Sequence, residues 1–392
     1  MKRFFALGLV SVLLLGACGS DTDSEAPPST PTQMAEETAT EQATETATGT
    51  DAEHTDDGVG EPTDDSSSDG EEGAEDLDLP DPYSLTGVSE VPELPDPQPI
   101  EGDFSQELPV TVVDHEGNEV TVTDTSRILA LDLSGSLTRT VIALGHGDSI
   151  VGRSISSTEE QLADLPVVTA EGHSLNAEAI LNLRPTLIIA DRTIGPPEVL
   201  QQLSDSGIPV VFTDPDHTLE TNSDRMMEVA EALGVPEAGE ALVESTEASV
   251  DAAIEEISAW APEEPMDVAF LYVRGTAGVF FIFGSDNGTS ALIESIGAND
   301  IASENGISGT VPANAESLLL LNPDVIFTMT DGLESTNGVD GLLARPGISD
   351  TTAGKNQRII AIPDGMSLSF GPQTAEVFLA VARALYGVDD AA

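Results

Sequence analysis

Cysteine is almost absent from this sequence. Cys18 is the only one in 392 residues, so no disulfide can form within the chain. Aromatic residues make up only 4%, with one tryptophan, Trp260, and three tyrosines. A binding site walled by aromatic rings therefore has little to be built from. Basic residues are scarce as well. There are 13 lysines and arginines against 71 aspartates and glutamates, for a formal net charge of -58. A chain this acidic argues against nucleic acid and anionic lipid as partners. The apolar run from Phe4 to Leu15 is too short to cross a bilayer, which takes about 20 residues. No H-E-x-x-H, no G-x-S-x-G and no phosphate-binding glycine loop occurs, which argues against a metal-dependent or hydrolytic enzyme on the cell surface.

What is present begins with an address. Lys2 and Arg3 precede the apolar run, which ends Leu15-Gly16-Ala17-Cys18. Residues 1–17 fit a signal peptide. The end of that run resembles a bacterial lipoprotein signal, and the resemblance implies cleavage before Cys18 and lipidation of its thiol. From Gly19 to about Ile100 there are 24 acidic residues and no Lys or Arg. Such a segment buries too little apolar surface to offset its ordering entropy. Residues 18–104 are expected to be a lipidated cysteine followed by a disordered acidic tether. The charge does not stop there, since 47 acidic residues lie elsewhere in the chain.

A fifteen-residue unit occurs twice. Asn176 to Ala190 reads NAEAILNLRPTLIIA and Asn314 to Thr328 reads NAESLLLLNPDVIFT. Each copy predicts a short Asn-capped helix, a proline turn and an apolar strand. Two copies so far apart indicate two similar lobes. Around them strands and helices alternate: Pro109–Val122 as a leading hairpin, Arg127–Leu133 as a strand, Ser136–Leu144 as a helix, Pro209–Phe212 and Arg358–Ile362 as strands. That alternation predicts βαβ units with mainly parallel sheets. Between the lobes, residues 235–262 predict one long helix, with Pro236 in its first turn and Pro262 ending it. Leu242, Val243, Thr246, Val250, Ile254, Ile257 and Ala261 keep a helical period, and about 24 residues would span roughly 36 Å. The expected architecture is α/β: an N-terminal lobe over 105–234, the connecting helix, and a C-terminal lobe over 263–392, with the cleft between them.

Candidate ligand-binding residues follow from strand geometry. Asp267 to Gly275 reads as the first strand of the second lobe. Tyr272 and Arg274, two apart, share a face at its carboxyl end, where ligands of open α/β sheets sit. A guanidinium beside a phenol favours the phenolate, and ferric iron favours it far more. Phenolate is a recognised axial ligand of haem iron. His173 lies in the loop before the Asn176-capped helix, at the facing edge of the first lobe, and an imidazole and a phenolate together could clamp a flat macrocycle. His217, after the strand ending at Phe212, is the reserve histidine, and His146 falls in a helix-ending turn. Asn287, Met366 and Phe370 sit in loops that would reach the cleft. A zinc or manganese carrier would want three or four clustered ligands, and His173 lacks obvious partners.

The lipoprotein signal, the two lobes with one connecting helix and the repeated Asn-Ala-Glu unit together resemble the periplasmic-binding-protein family for cobalamin, iron-siderophores and haem, the capture subunits of ABC importers. Glu171-Gly172-His173-Ser174-Leu175 and Tyr272-Val273-Arg274 are similar to the HmuT-type haemin-binding lipoproteins. The resemblance implies capture of haem b at the outer face of the cytoplasmic membrane, with no bond chemistry. It implies delivery to an ABC permease and its ATPase, with upstream haem-binding proteins as further partners. Glu178 and Glu316, one per lobe, would dock on the permease. Each also stabilises its helix dipole by about 0.3–1 kcal/mol. A siderophore site would need several Arg or aromatic groups, and a corrinoid site an aromatic lining. The chain is short of both.

Overall fold

The computed structural model describes residues 79–389, apart from 171, 172, 277 and 369. The signal peptide, Cys18 and most of the acidic tether lie outside the described residues.

The chain enters on the second lobe. Strand β1 (Val88–Glu90) pairs in parallel with a strand near the far end of the sequence, and Val91 behind it is buried. The tether had been expected to reach residue 104. Instead residues 79–104 form a strap over both lobes. Tyr83 donates its hydroxyl proton to the carbonyls of Glu264 or Pro265. Further on, the Asp96 carboxylate accepts from the amides of Glu160 and Gln161, and Ile100 N–H donates to Ala143 O. Proline-rich and acidic composition hides this docking, because the strap is held by main-chain pairing and a few apolar anchors.

The leading hairpin is β2 (Val110–Val113) and β3 (Glu119–Val122), in antiparallel register, closed by a turn in which Asp114 accepts from Asn118. The first lobe's sheet follows: β4 (Ile128–Leu131), then α1 (Ser136–Val141), the short hairpin β5 (Thr169–Ala170) and β6 (Ser174–Leu175), α2 (Ala177–Leu183), β7 (Leu187–Ala190), α3 (Pro197–Asp205) and β8 (Val210–Phe212). β4, β7 and β8 run parallel in that order, and every residue of all three is buried, as expected of a sheet covered on both faces. Ile150 adds an isolated parallel bridge to Ile128 at the edge of this sheet.

A helix not anticipated from the sequence, α4 (Asn222–Leu233), closes the lobe. Its glycine cap Gly234 leads straight into α5 (Pro236–Ser258), the connecting helix. α5 has Pro236 in its first turn, ends four residues short of Pro262, and buries Leu242, Thr246, Val250, Ala253 and Ile257 on one stripe.

The second lobe is built on β9 (Asp267–Arg274), β10 (Val279–Phe283), α6 (Gly288–Ser295), β11 (Asn299–Asp300), α7 (Ile301–Glu304), β12 (Thr310–Pro312), α8 (Ala315–Leu321), β13 (Val325–Met329), α9 (Thr330–Ser335), α10 (Gly338–Leu343), α11 (Thr352–Asn356), β14 (Ile359–Ile362) and α12 (Thr374–Tyr386). Its sheet runs β1-β14-β13-β9-β10-β12, with β11 also paired to β9. The first four strands are parallel, while β9–β10 and β10–β12 are antiparallel. The two repeat copies are α2–β7 and α8–β13. Both helices take the Asn side chain as cap, and both end in a left-handed residue before proline, Arg184 and Asn322. No helix among the described residues is long and apolar enough to cross a membrane.

Candidate functional site

β9 alternates as its sequence implies. Leu271 and Val273 pack into one core cluster, while Phe270 and Tyr272 pack on the opposite face. Phe283 of β10 stacks between them, with its ring 5.5 Å from Phe270 and 5.4 Å from Tyr272. The Tyr272 ring is thereby fixed while remaining half-exposed at the strand's carboxyl end. The Arg274 guanidinium lies 4.8 Å from the Tyr272 ring centroid and pairs with the Asp364 carboxylate. Arg274 also donates to Val273 O at 3.1 Å. Asp364 accepts from Asp331 N–H at 3.1 Å, and its burial outweighs Arg274 in pushing its pKa up. Gly332 makes room for this seat, since a Cβ there would lie 2.4 Å from Arg274 Nη1. Asp364 was not foreseen. Its partner stands 90 positions away and no local pattern links them.

His173 occupies the turn of the β5–β6 hairpin and is open to solvent. Leu175 N–H to Gly195 O and Asn176 N–H to Val168 O moor that hairpin to the first lobe. Flanking protein holds the His173 pKa below its ordinary value, and the Arg274 charge adds to the effect. The Arg274 charge of the second lobe thus reaches the His173 imidazole of the first. The first lobe also exposes two large apolar side chains, Leu133 (37%) and Ile155 (51%). Ser156 ties their loops together by donating to Leu133 O at 2.5 Å, and Ile155 N–H donates to Thr169 Oγ1. Neither residue was singled out from the sequence, where each reads as one more apolar strand-end or loop residue.

His217 belongs to a different structure. Its Nε2 lies 2.8 Å from Asp191 Oδ2 and its Nδ1 3.2 Å from Ser134 Oγ. Asp132 and Asp191, which directly follow β4 and β7, are fully buried there with Arg225. Arg225 donates to Ser136 Oγ at 2.9 Å and approaches Asp191 Oδ2 to 3.8 Å. Burial would raise the Asp132 pKa, but His217, Ser134 and Arg225 together hold it low. With both ring nitrogens engaged, His217 is a structural residue of the first lobe and leaves the set of candidate iron ligands. Asp132, Asp191 and His217 are close enough to suggest a cation site, but Arg225 already supplies the positive charge.

The remaining loop candidates lie in or beside the core. Phe370 is 4% exposed and meets Phe378 edge-on at 5.9 Å, and Met366 is buried in the same cluster. Asn287, half-buried, donates to Gly284 O at 3.2 Å just before α6. A cavity of about 570 Å³ beneath the strap, between Arg139 and Glu159 on one lobe and Gly365 and Met366 on the other, touches none of His173, Tyr272 and Arg274. Glu178 and Glu316 are exposed in the first turns of α2 and α8.

Residues 132–365 match the periplasmic binding protein family. The chain belongs to the periplasmic binding protein family. Within this family, solved structures of the haem-binding protein HmuT share 49% identity with a TM-score of 0.76, covering 79% of this chain and 100% of theirs. The apo haem-binding protein RhuT of Roseiflexus sp. RS-1 shares 36% identity (TM-score 0.63, 67% of this chain, 99% of RhuT). HutB of Vibrio cholerae, a periplasmic haem-binding protein, shares 28% (TM-score 0.58, 67% of this chain, 100% of HutB). Vitamin B12-binding proteins of Yersinia pestis and Yersinia pseudotuberculosis are 37% identical over 94 residues, 24% of this chain. The chain spans about a third of the length of those curated relatives (34%). Among the HmuT structures are alanine variants of a histidine, of a tyrosine 99 positions later and of an arginine two beyond it. His173, Tyr272 and Arg274 of this periplasmic binding protein have the same spacing.

Proposed function

We propose that this protein captures haem between its lobes, with Tyr272 and His173 as axial iron ligands and Arg274 as the supporting cation beside the Tyr272 ring. The observation that carries this reading is the pairing of Tyr272 and Arg274 at the carboxyl end of β9. The matched spacing in the HmuT variants supports it independently. A lowered pKa favours the neutral imidazole of His173, which offers a lone pair to iron. Among the described residues no group hydrogen-bonds the Tyr272 hydroxyl, which leaves its oxygen available as a hard donor. Leu133 and Ile155 offer the apolar surface a porphyrin face needs. Asp364 fixes Arg274, so that its charge stays beside the ring.

The reading extends to a binding subunit without bond chemistry, held by a lipid on Cys18 at the outer face of the cytoplasmic membrane. There it passes haem to an ABC permease and its ATPase for iron acquisition, docking through Glu178 and Glu316. Cobalamin is disfavoured, because Trp260 is 8% exposed within the second lobe's core and cannot line a corrinoid site. The test is titration of the protein with ferric haemin. A Soret band saturating at one equivalent is expected, with phenolate–iron charge-transfer bands that vanish in Tyr272→Phe. Tyr272→Ala should weaken binding at least about tenfold, or about 1.4 kcal/mol, and more than His173→Ala. Unchanged spectra in both variants would refute the ligand assignment.

A further inference from the structure

The two copies of the internal repeat expose the same kind of residue at the same position. In α2, Leu181 is 37% exposed, and in α8 its counterpart Leu319 is 49% exposed. Each stands three residues after its lobe's glutamate, Glu178 or Glu316, and so shares that glutamate's helix face. The inward face is satisfied separately, by Ile180 in α2 and by Leu318 and Leu321 in α8. Neither outward leucine belongs to the buried core of its lobe. The equivalence then breaks: Leu320 is 74% exposed where the first copy carries the polar Asn182. Leu320 lies four residues after Glu316, again on that face. Each helix precedes a parallel strand and runs back along it, so its first turn lies at the carboxyl edge of its sheet, the edge that borders the cleft.

We infer that Leu181 on one lobe and Leu319 with Leu320 on the other form paired apolar anchors for the membrane partner. That partner carries two equivalent apolar sockets, each flanked by a basic side chain, and so has two-fold symmetry. This inference deepens the proposed docking through Glu178 and Glu316 and rests on it. An exposed leucine beside a first-turn carboxylate is complementary to a socket with a cationic rim, and repetition on both lobes matches a partner built from two like halves. The unequal third anchor makes the contact polar: the second lobe holds the partner more strongly than the first. A symmetric partner can then distinguish the lobes by contact strength, and the first lobe, which carries His173, is the one freer to move.

The experiment uses the full lipoprotein, loaded with haem, and the haem permease–ATPase complex of the same bacterium in lipid nanodiscs. It measures the binding-protein concentration that half-saturates ATPase stimulation, with haemin titration of every variant in parallel. Leu181→Asp is expected to raise that concentration a few-fold, Leu319→Asp about fivefold, and Leu320→Asn, which restores symmetry, about fivefold, with haemin titrations unchanged. Loss of haemin binding by the wild type would overturn the haem reading itself. Normal haemin binding with half-saturation unchanged in all three variants would overturn the anchors alone. So would sedimentation showing a wild-type dimer dispersed by Leu320→Asn, since the occupant would then be a second copy of this chain.

Discussion

The strap gives the sharpest quantitative test of how this fold is held. Val91, 4% exposed, enters the second lobe's core cluster, and its N–H donates to Ala361 O at 2.8 Å. Val91→Ala keeps that hydrogen bond and removes two methyl groups, at about 0.8 kcal/mol each plus a residual-cavity cost, for about 2 kcal/mol in all. At the other end, the Asp96 oxygens take the amides of Glu160 at 2.7 Å and Gln161 at 2.8 Å, capping the turn that follows. Asp96→Ala leaves both amides without that partner and costs about 1 kcal/mol. The two sites lie on different lobes and share no partner, so the double variant should lose about 3 kcal/mol. Equilibrium urea unfolding of chains beginning at residue 79 would read this as a midpoint lowered by about 1 M. A chain beginning at residue 105 should be less stable than one beginning at 79. If the double variant unfolds at the wild-type urea concentration, the strap contributes nothing and the argument fails.

Two further outcomes follow from the cleft. Gly332→Ala would set a Cβ 2.4 Å from Arg274 Nη1 and 2.7 Å from Val273 O, so Arg274 must leave its seat beside Asp364. A stability loss of about 1–3 kcal/mol is expected, together with an altered haem spectrum, measured by thermal melting and haemin titration; an unchanged spectrum would detach Arg274 from the ligand site. His173 has a lowered pKa, caused first by partial desolvation from flanking protein and second by the Arg274 charge. Its neutral, iron-binding form therefore persists as pH falls, and haem affinity should decline only below the ordinary histidine range near about 6.5. Arg274→Gln removes the second cause, so the acid limb of the affinity profile should move to higher pH; movement the other way would contradict a cross-cleft contact.

Much of this was legible in the sequence because it depends on neighbours in the chain. The repeat's Asn caps, proline turns and apolar strands are local devices, and both copies fold as they read. The shared face of Tyr272 and Arg274 follows from the two-residue period of a strand. The connecting helix shows its apolar stripe over enough turns to be unmistakable, although it ends at Ser258 rather than at Pro262. What escaped depends on distant partners. The strap looks like spacer because its composition is acidic and proline-rich, yet β1 is fixed by pairing with β14, some 270 residues away. His217 looks like any loop histidine until the folded sheet brings Asp191 and Ser134 to its two nitrogens. The sequence by itself determined the two α/β lobes, the connecting helix and the candidate pair His173 and Tyr272. Only the tertiary structure decided that His217 is tied to Asp191 and Ser134, which carboxylate holds Arg274 and that residues 79–104 lie on the lobes. Those depend on long-range contacts, whose closure leaves no periodic mark on the chain.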